Sequence, residues 1–282
     1  MVFSLQINQE GTPMTYRLFC AEGDQARGVT MTEDNKVMNL NYGVGGSLRL
    51  SLSRPSGTSG NWSFIEMLGK TLTWTVNLSE VPCGLNATFY SVVLAQGQGY
   101  RDACATFPST TELDFMEANR YAWHTTLHRG KNDCGSAPPL GTGGTVSTAS
   151  DPRYLFHDLV GQAPSNALYG PGDTYAINTL LPFDASIQFH TENGVLTAVA
   201  VVLTQGDHAI GQSFTHSNEE YPGWLENLGK EIVCTPTSGN VLVWSLWTGN
   251  LNWLESPPCG RGSSPHCTDT SCQYTISDIQ LI

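Results

Sequence analysis

The segment Glu112-Leu-Asp-Phe-Met-Glu-Ala-Asn119 sets three carboxylates at the spacing E-x-D-x-x-E. On a β-strand, residues two apart share a face, so Glu112 and Asp114 point the same way. Glu117 falls on the opposite face of a regular strand. One extra residue, a β-bulge near Phe115 or Met116, returns it to the side of the other two. Three acids then line one surface. Retaining cleavage of a glycosidic bond uses such a set, a nucleophile and an acid/base with carboxyl groups about 5–5.5 Å apart. The bland reading of the same residues is a solvated, acidic edge strand.

The surrounding sequence is dominated by strand patterns. Leu48, Leu50 and Leu52 alternate with Arg49 and Ser51, and Leu72, Trp74, Val76 and Leu78 alternate with Thr71, Thr73, Thr75 and Asn77. A period of two marks strands with one buried face. Residues 186–190, the pair Asn193-Gly194, and residues 195–204 read as a hairpin with an Asn-Gly turn. Its second arm is apolar on both faces, which predicts a central strand. Val241 to Trp247 is a similar buried run, and Tyr274 to Leu281 reads as a closing strand. Trp224 to Lys230 is the one helical stretch, and 135–148, rich in Gly, Pro, Ser and Thr, reads as a surface loop. No internal repeat or linker is evident. These elements predict an all-β chain, two antiparallel sheets packed as a sandwich, with residues 1–282 as a single domain. Curvature of one sheet would make a concave cleft for a chain-like ligand.

Composition narrows the partners. The chain has 13 basic and 25 acidic residues, a net charge of −12. Nucleic acid and anionic membrane surfaces are poor partners for it. A neutral polysaccharide is indifferent to that charge, and a cationic one would be attracted. No apolar segment reaches transmembrane length. The eight cysteines (20, 83, 104, 134, 234, 259, 267 and 272) form no convincing zinc pattern. An even count in a Gly- and Thr-rich β chain predicts up to four disulfides and secretion, against reduced cysteines in a cytosolic protein. Sequons at Asn61, Asn77 and Asn86 agree with secretion. Met-Val-Phe-Ser-Leu-Gln at the N-terminus has no basic region or long apolar run and reads as the start of a mature domain.

The acidic segment also resembles the catalytic signature of glycoside hydrolase family 7, the fungal cellobiohydrolases and endoglucanases. Further segments resemble that family in the same order. They are Val81-Pro-Cys-Gly-Leu-Asn86 with Phe89-Tyr90, Leu168-Tyr-Gly-Pro-Gly172, Val241-Leu-Val-Trp-Ser-Leu-Trp247, Leu251-Asn-Trp-Leu-Glu255, Gly260-Arg-Gly-Ser263 and Tyr274-Thr-Ile-Ser-Asp-Ile-Gln280. An ordered set is far more specific than one short motif. The resemblance implies a concanavalin-type β-jelly-roll, retaining endo-cleavage of β-1,4-glucan, and no cofactor or metal. It assigns the nucleophile to Glu112, the acid/base to Glu117 and a tuning role to Asp114. His128, eleven residues after Glu117, matches the family's histidine. Trp247 and Trp253 match positions that stack on sugar rings. Asn86, Tyr90 and Arg261 are weaker carry-overs to substrate binding, the alternative for Arg261 being a solvated loop arginine.

Chemistry supports these roles. Glu112 must be ionised to attack an anomeric carbon, and Glu117 must begin protonated, with a pKa raised by burial and neighbouring carboxylates. Asp114, between them, is expected to share a proton with Glu112. His124 and His128 form H-x3-H, but position 125 is Thr where a zincin has Glu, so metal binding is not expected and His124 reads as a satisfied structural histidine. Trp244 and Trp247, three apart, face opposite sides of a strand, one toward the core and one toward the cleft.

The chain also departs from the family. Only residues 84–111 separate Cys83 from Glu112, where the family has a long insertion. Ser109-Thr110-Thr111 replace paired cysteines, Met116 replaces a Trp, and the stretch before Leu48 aligns poorly. Fewer loops imply an open cleft and internal cleavage, and a monomer is expected. They leave the polymer open, because loops set specificity. Mixed-linkage or β-1,3-glucan and chitosan are the related substrates. A non-catalytic, lectin-like sandwich and an inactive relative are the alternatives of another class. Asn86-Ala-Thr88 is a sequon at the expected cleft, so Asn86 is expected to carry no glycan.

Overall fold

In the computed structural model, residues 3–20, 28–32, 34–42, 48–53, 62–98, 110–129, 157–158, 168–218, 222–254, 259–260, 262–263, 267 and 272–282 are described. The first strands are β1 (Phe3–Gln9), β2 (Thr12–Cys20), β3 (Val29–Thr32), β4 (Val37–Asn41) and β5 (Leu48–Ser53). Then come β6 (Thr71–Asn77), β7 (Asn86–Ala95), β8 (Glu112–Ala118) and β9 (Trp123–His128). Three two-residue strands follow, β10 (His157–Asp158), β11 (Tyr169–Gly170) and β12 (Ile177–Asn178). The chain continues through β13 (Phe183–Glu192), β14 (Val195–Gln205), β15 (His208–Thr215), helix α1 (Trp224–Ile232), β16 (Ser238–Trp247) and β17 (Gln273–Leu281).

Period-two patterning builds the layers. In β6, Leu72, Trp74 and Val76 are buried while the threonines stay half-exposed. β13, β14 and β15 extend that layer on one side of β6, and β17 and β4 on the other. The facing layer runs β5–β16–β7–β8–β9. Aromatic rings join the two across the core. Trp74 meets Phe89 edge-on at 5.0 Å, Phe115 meets Phe189 at 6.3 Å, and Trp123 meets Phe183 at 5.9 Å. Such pairs add about 0.5–1.5 kcal/mol each beyond their buried area. The buried Tyr274 hydroxyl of β17 crosses the core to donate to the Thr88 carbonyl of β7 at 2.8 Å. The result is the expected all-β jelly-roll sandwich.

Its layers are not separate sheets, however. β17 pairs with β1 in parallel at Asn8–Gln280 and Gln9–Leu281, β1 forms a hairpin with β2, and β2 pairs with β5. One hydrogen-bonded path therefore wraps from one layer into the other, which leaves fewer open edges. The predicted hairpin is β13–β14, with Asn193 (φ 52°) and Gly194 (φ 80°) in the left-handed region that its tight turn needs. β14 is central between β13 and β15, but only one face is fully buried, through Leu196, Val199, Val201 and Leu203. α1 packs against this region so closely that a Cβ at Gly229 would lie 2.8 Å from Leu196 Cβ.

Two disulfides occur among the described residues, Cys83–Cys259 and Cys267–Cys272. Cys234 is a free thiol, its Sγ donating to the Ile65 carbonyl at 3.2 Å. Cys104 and Cys134 lie outside the described residues. The predicted loop 135–148, Asn61 and Arg261 lie outside the described residues.

Candidate active site

Strand β8 carries the bulge that the acid spacing predicts. Its ladder with β9 pairs Glu112 with His128 and Asp114 with Thr126, then steps to Glu117 with His124. The ladder with β7 shows the same step, Tyr90 opposite Asp114 and Phe89 opposite Met116. The extra residue lies between Asp114 and Glu117. Phe115 and Met116 are both fully buried, as are Leu113 and Ala118. Two consecutive large apolar residues can both enter the core only where alternation breaks, and the bulge supplies that break. All three acids consequently share the outer face of the layer.

Glu117 is held at both carboxyl oxygens. The Asn86 side-chain amide donates to Oε1 at 3.2 Å and the Thr126 hydroxyl to Oε2 at 3.4 Å. The side chain keeps some contact with solvent, yet it is sunk deeply enough among its neighbours to lose most hydration of its charge. That desolvation, followed by the charge of Asp114, holds its pKa well above the usual carboxylate range; His128, Asn86 and Thr126 oppose the rise without cancelling it. Glu117 therefore favours the protonated state.

At the other end of the trio, His128 Nε2 lies 3.3 Å from Asp114 Oδ2. Glu112, Asp114 and His128 each offer one atom within 4.8 Å of the others. The histidine contacts the middle acid of the trio. Two carboxylates and an imidazole this close could also ligate a cation. His124 does not join them, so the H-x3-H pair is split between the two ends of the trio.

His124 differs from its expected state. It is 1% exposed, but neither ring nitrogen has a hydrogen-bond partner. Burial alone lowers its pKa from the usual 6.5 to about 4, which leaves a neutral imidazole. Its ring meets the edge of Trp253 at 5.5 Å, and Trp253 is 41% exposed. Trp244 is buried in the core, stacked on Phe89, while Trp247 is half-buried at the end of β16 opposite Asn86, as their spacing predicts. Trp247 packs against the small apolar cluster Ala122, Leu251 and Leu254, under the turn that carries Trp253. Asn86 is fully buried and Tyr90 nearly so.

Sequence reasoning missed two sets of residues. Thr126 shares the face of His124 and His128 by simple alternation, so period two could have found it. Glu231 on α1 could not be found locally. It accepts from Arg129 Nη2 at 2.6 Å, Arg129 Nε at 3.1 Å and Thr111 Oγ1 at 2.7 Å, tying together the residues next to His128 and Glu112. Thr111 of this clamp is one of the three residues that stand where the resemblance leads one to expect paired cysteines.

Comparison with known proteins bears on the identity of this arrangement. No family model matches the chain. The endoglucanase EG-1 of Trichoderma longibrachiatum is 28% identical over 290 residues, covering 87% of this chain and 57% of the relative. A probable endo-β-1,4-glucanase of Aspergillus clavatus is 25% identical over 300 residues, covering 88% and 68%. Among solved structures, an endoglucanase I complexed with cellobiose superposes with a TM-score of 0.72 at 16% identity, covering 99% of this chain and 96% of that one. A family 7 cellobiohydrolase from Daphnia pulex superposes at 0.68 and 17% identity, covering 100% and 96%. The chain has the fold of the family 7 cellobiohydrolase structure and is similar in sequence to fungal endoglucanases along most of its length. It spans about half the length of the Trichoderma and Hypocrea relatives it matches. Of the family 7 positions assigned from sequence, Glu112, Asp114, Glu117, His128, Asn86 and Tyr90 lie on neighbouring strands of one layer, and Trp247 lies beside Asn86. Trp253 reaches the same region through His124.

Proposed function

We propose that this chain is a secreted, retaining endo-β-1,4-glucanase acting on cellulose-type polymers. The observation that carries the reading is the bulged strand β8, which gathers Glu112, Asp114 and Glu117 on one face with Glu117 favoured in its protonated form. In the first step Glu117 gives its proton to the glycosidic oxygen while a Glu112 carboxylate oxygen attacks the anomeric carbon. The carbon–oxygen bond to the departing sugar breaks and an ester to Glu112 forms. Glu117, now ionised, then takes a proton from a water that attacks the same carbon and releases Glu112. Asp114, fixed by His128, steers the nucleophile. Asn86 and Thr126 orient the acid and stabilise its ionised intermediate state.

Trp247 and Trp253 offer indole faces to the apolar C–H surfaces of glucose rings. Tyr90 lines the cleft floor beside Asp114, and Arg261 is assigned to sugar hydroxyls by its motif alone. The chemistry requires no cofactor and no ion at the Glu112–Asp114–His128 group. The short connection across residues 84–111 favours an open cleft and cleavage within the polymer. The disulfides Cys83–Cys259 and Cys267–Cys272 fit an oxidising, extracellular setting. The working form is taken as a monomer with residues 1–282 as one catalytic domain.

The test is reducing-end release from carboxymethyl-cellulose, barley β-glucan, laminarin, xylan and chitosan, run beside Glu112→Gln. Activity on carboxymethyl-cellulose that vanishes in the variant supports the proposal. Activity confined to another polymer keeps the mechanism and changes the substrate. Absence of cleavage, with glycan binding equal in both proteins, replaces the enzyme with a lectin-like module.

A further inference from the structure

His124 has no role in the double displacement, yet it is the least satisfied polar side chain on the catalytic face. Burying an imidazole with neither nitrogen partnered is costly, because its donor and acceptor both lose water. At an ordinary core position that cost would favour an apolar residue. The position is not ordinary. His124 is the direct ladder partner of Glu117, so their side chains project from the same face about 5 Å apart at their Cβ atoms. Trp253 meets the imidazole in a T-shaped contact from a turn whose other apolar residues, Leu251 and Leu254, are buried, while Trp253 itself is 41% exposed.

The two ends of the acid trio face different sugars. Glu112, in register with His128, must lie beneath the anomeric carbon that it attacks. Glu117, in register with His124, must reach the oxygen that leaves. The sugar attached to that oxygen consequently lies nearest the Glu117–His124 end. A neutral imidazole has one N–H and one bare nitrogen, which match the donor and acceptor capacity of a sugar hydroxyl.

We propose that His124 is a specificity-determining residue that binds a hydroxyl of the departing sugar, uncovered when Trp253 turns its indole face onto that sugar. This rests on the glucanase reading and deepens it. Recognition through a buried, otherwise unpartnered group discriminates strongly, since a leaving group without the hydroxyl strands the imidazole. A leaving group that is not a sugar forgoes the contact entirely.

The experiment compares His124→Ala and His124→Asn on carboxymethyl-cellulose and on an aryl β-cellobioside, whose departing phenol has no sugar hydroxyls. His124→Ala is expected to lose about five- to thirtyfold in kcat/KM on the polymer, the value of one hydrogen bond of this kind, and at least fivefold less on the aryl substrate. His124→Asn, which retains a donor and an acceptor, should recover part of the polymer loss. Equal losses on the two substrates mean a structural role and overturn the proposal, as does an undiminished rate on the polymer. Calorimetric binding of cellotetraose to Glu112→Gln, with and without His124→Ala, separates this from failure of the glucanase reading. Weaker binding in the double variant supports the His124 contact even if the parent cleaves nothing. Equal affinity overturns it whatever the activity, and absence of binding with absence of cleavage overturns both readings.

Discussion

Replacing Glu117 with Gln tests the acid/base assignment most directly. Glutamine keeps the shape and one acceptor oxygen, so one of the two contacts from Asn86 and Thr126 survives, but it has no proton to give. A positioned general acid contributes about 10²–10⁴ in rate. The departing group in a polymer is a sugar alkoxide, a poor leaving group, which places the effect in the upper part of that range. A loss of about 10³–10⁴ in kcat/KM, or about 4–5 kcal/mol of transition-state stabilisation, is expected on carboxymethyl-cellulose. A dinitrophenyl β-cellobioside releases a stable phenolate without protonation, so its cleavage step should lose at least tenfold less. Deprotonation of Glu117 should set the basic limb of the parent's pH–rate profile, and that limb should vanish in the variant. The raised pKa also fixes the sign of a stability effect. Glu117 binds its proton more tightly folded than unfolded, so its contribution is complete below the unfolded value of 4.5 and is lost as pH rises through the folded value. Glu117→Gln should therefore melt above the parent at neutral pH, with the gap closing below pH 4.5. Polymer activity within tenfold of the parent, with the basic limb intact, would refute the assignment.

Asp114→Asn removes the second cause of the raised Glu117 pKa, so the basic limb should move to lower pH; a shift to higher pH in the pH–rate profile contradicts the electrostatic account. The pair Cys83→Ser, Cys259→Ser opens a bridge spanning 176 residues, and urea unfolding should show a loss of about 5 kcal/mol in the chain-entropy account. Gly229→Ala should destabilise by about 1–3 kcal/mol through its clash with Leu196, and Leu196→Ala in the same chain should relieve part of that loss beyond additivity. Peptide mapping of the protein expressed in a glycosylating host should find Asn86 without a glycan, because its amide is fully buried and donates to Glu117; an occupied Asn86 would contradict this geometry.

Period two made much of the frame legible. The Leu/Trp/Val alternation of β6, the Asn-Gly hairpin of β13–β14 and the buried run of β16 appear where the pattern places them, because one buried face leaves a direct imprint on a strand. The bulge was legible for a different reason, since three acids at E-x-D-x-x-E share a face only with an extra residue. Thr126 needed no more than the alternation of β9. By contrast, the β1–β2 hairpin that joins the layers carries no family-like motif, and the Thr111–Glu231–Arg129 clamp links residues 102 and 120 apart in sequence. A cysteine count could not exclude Cys234 from pairing, because pairing depends on which thiols meet.

The sequence by itself determined the strand pattern, the acidic trio and the need for a bulge, since these follow from side-chain alternation within a single segment. Tertiary structure decided which surroundings raise the pKa of Glu117. That depends on water excluded by packing and on charges brought from other strands, with Asp114 along β8 and Asn86, Thr126 and His128 across its ladders. It decided the state of His124 for the same reason. A histidine's letter in a strand pattern specifies the face it joins, but only the neighbours assembled around it determine whether its nitrogens find partners.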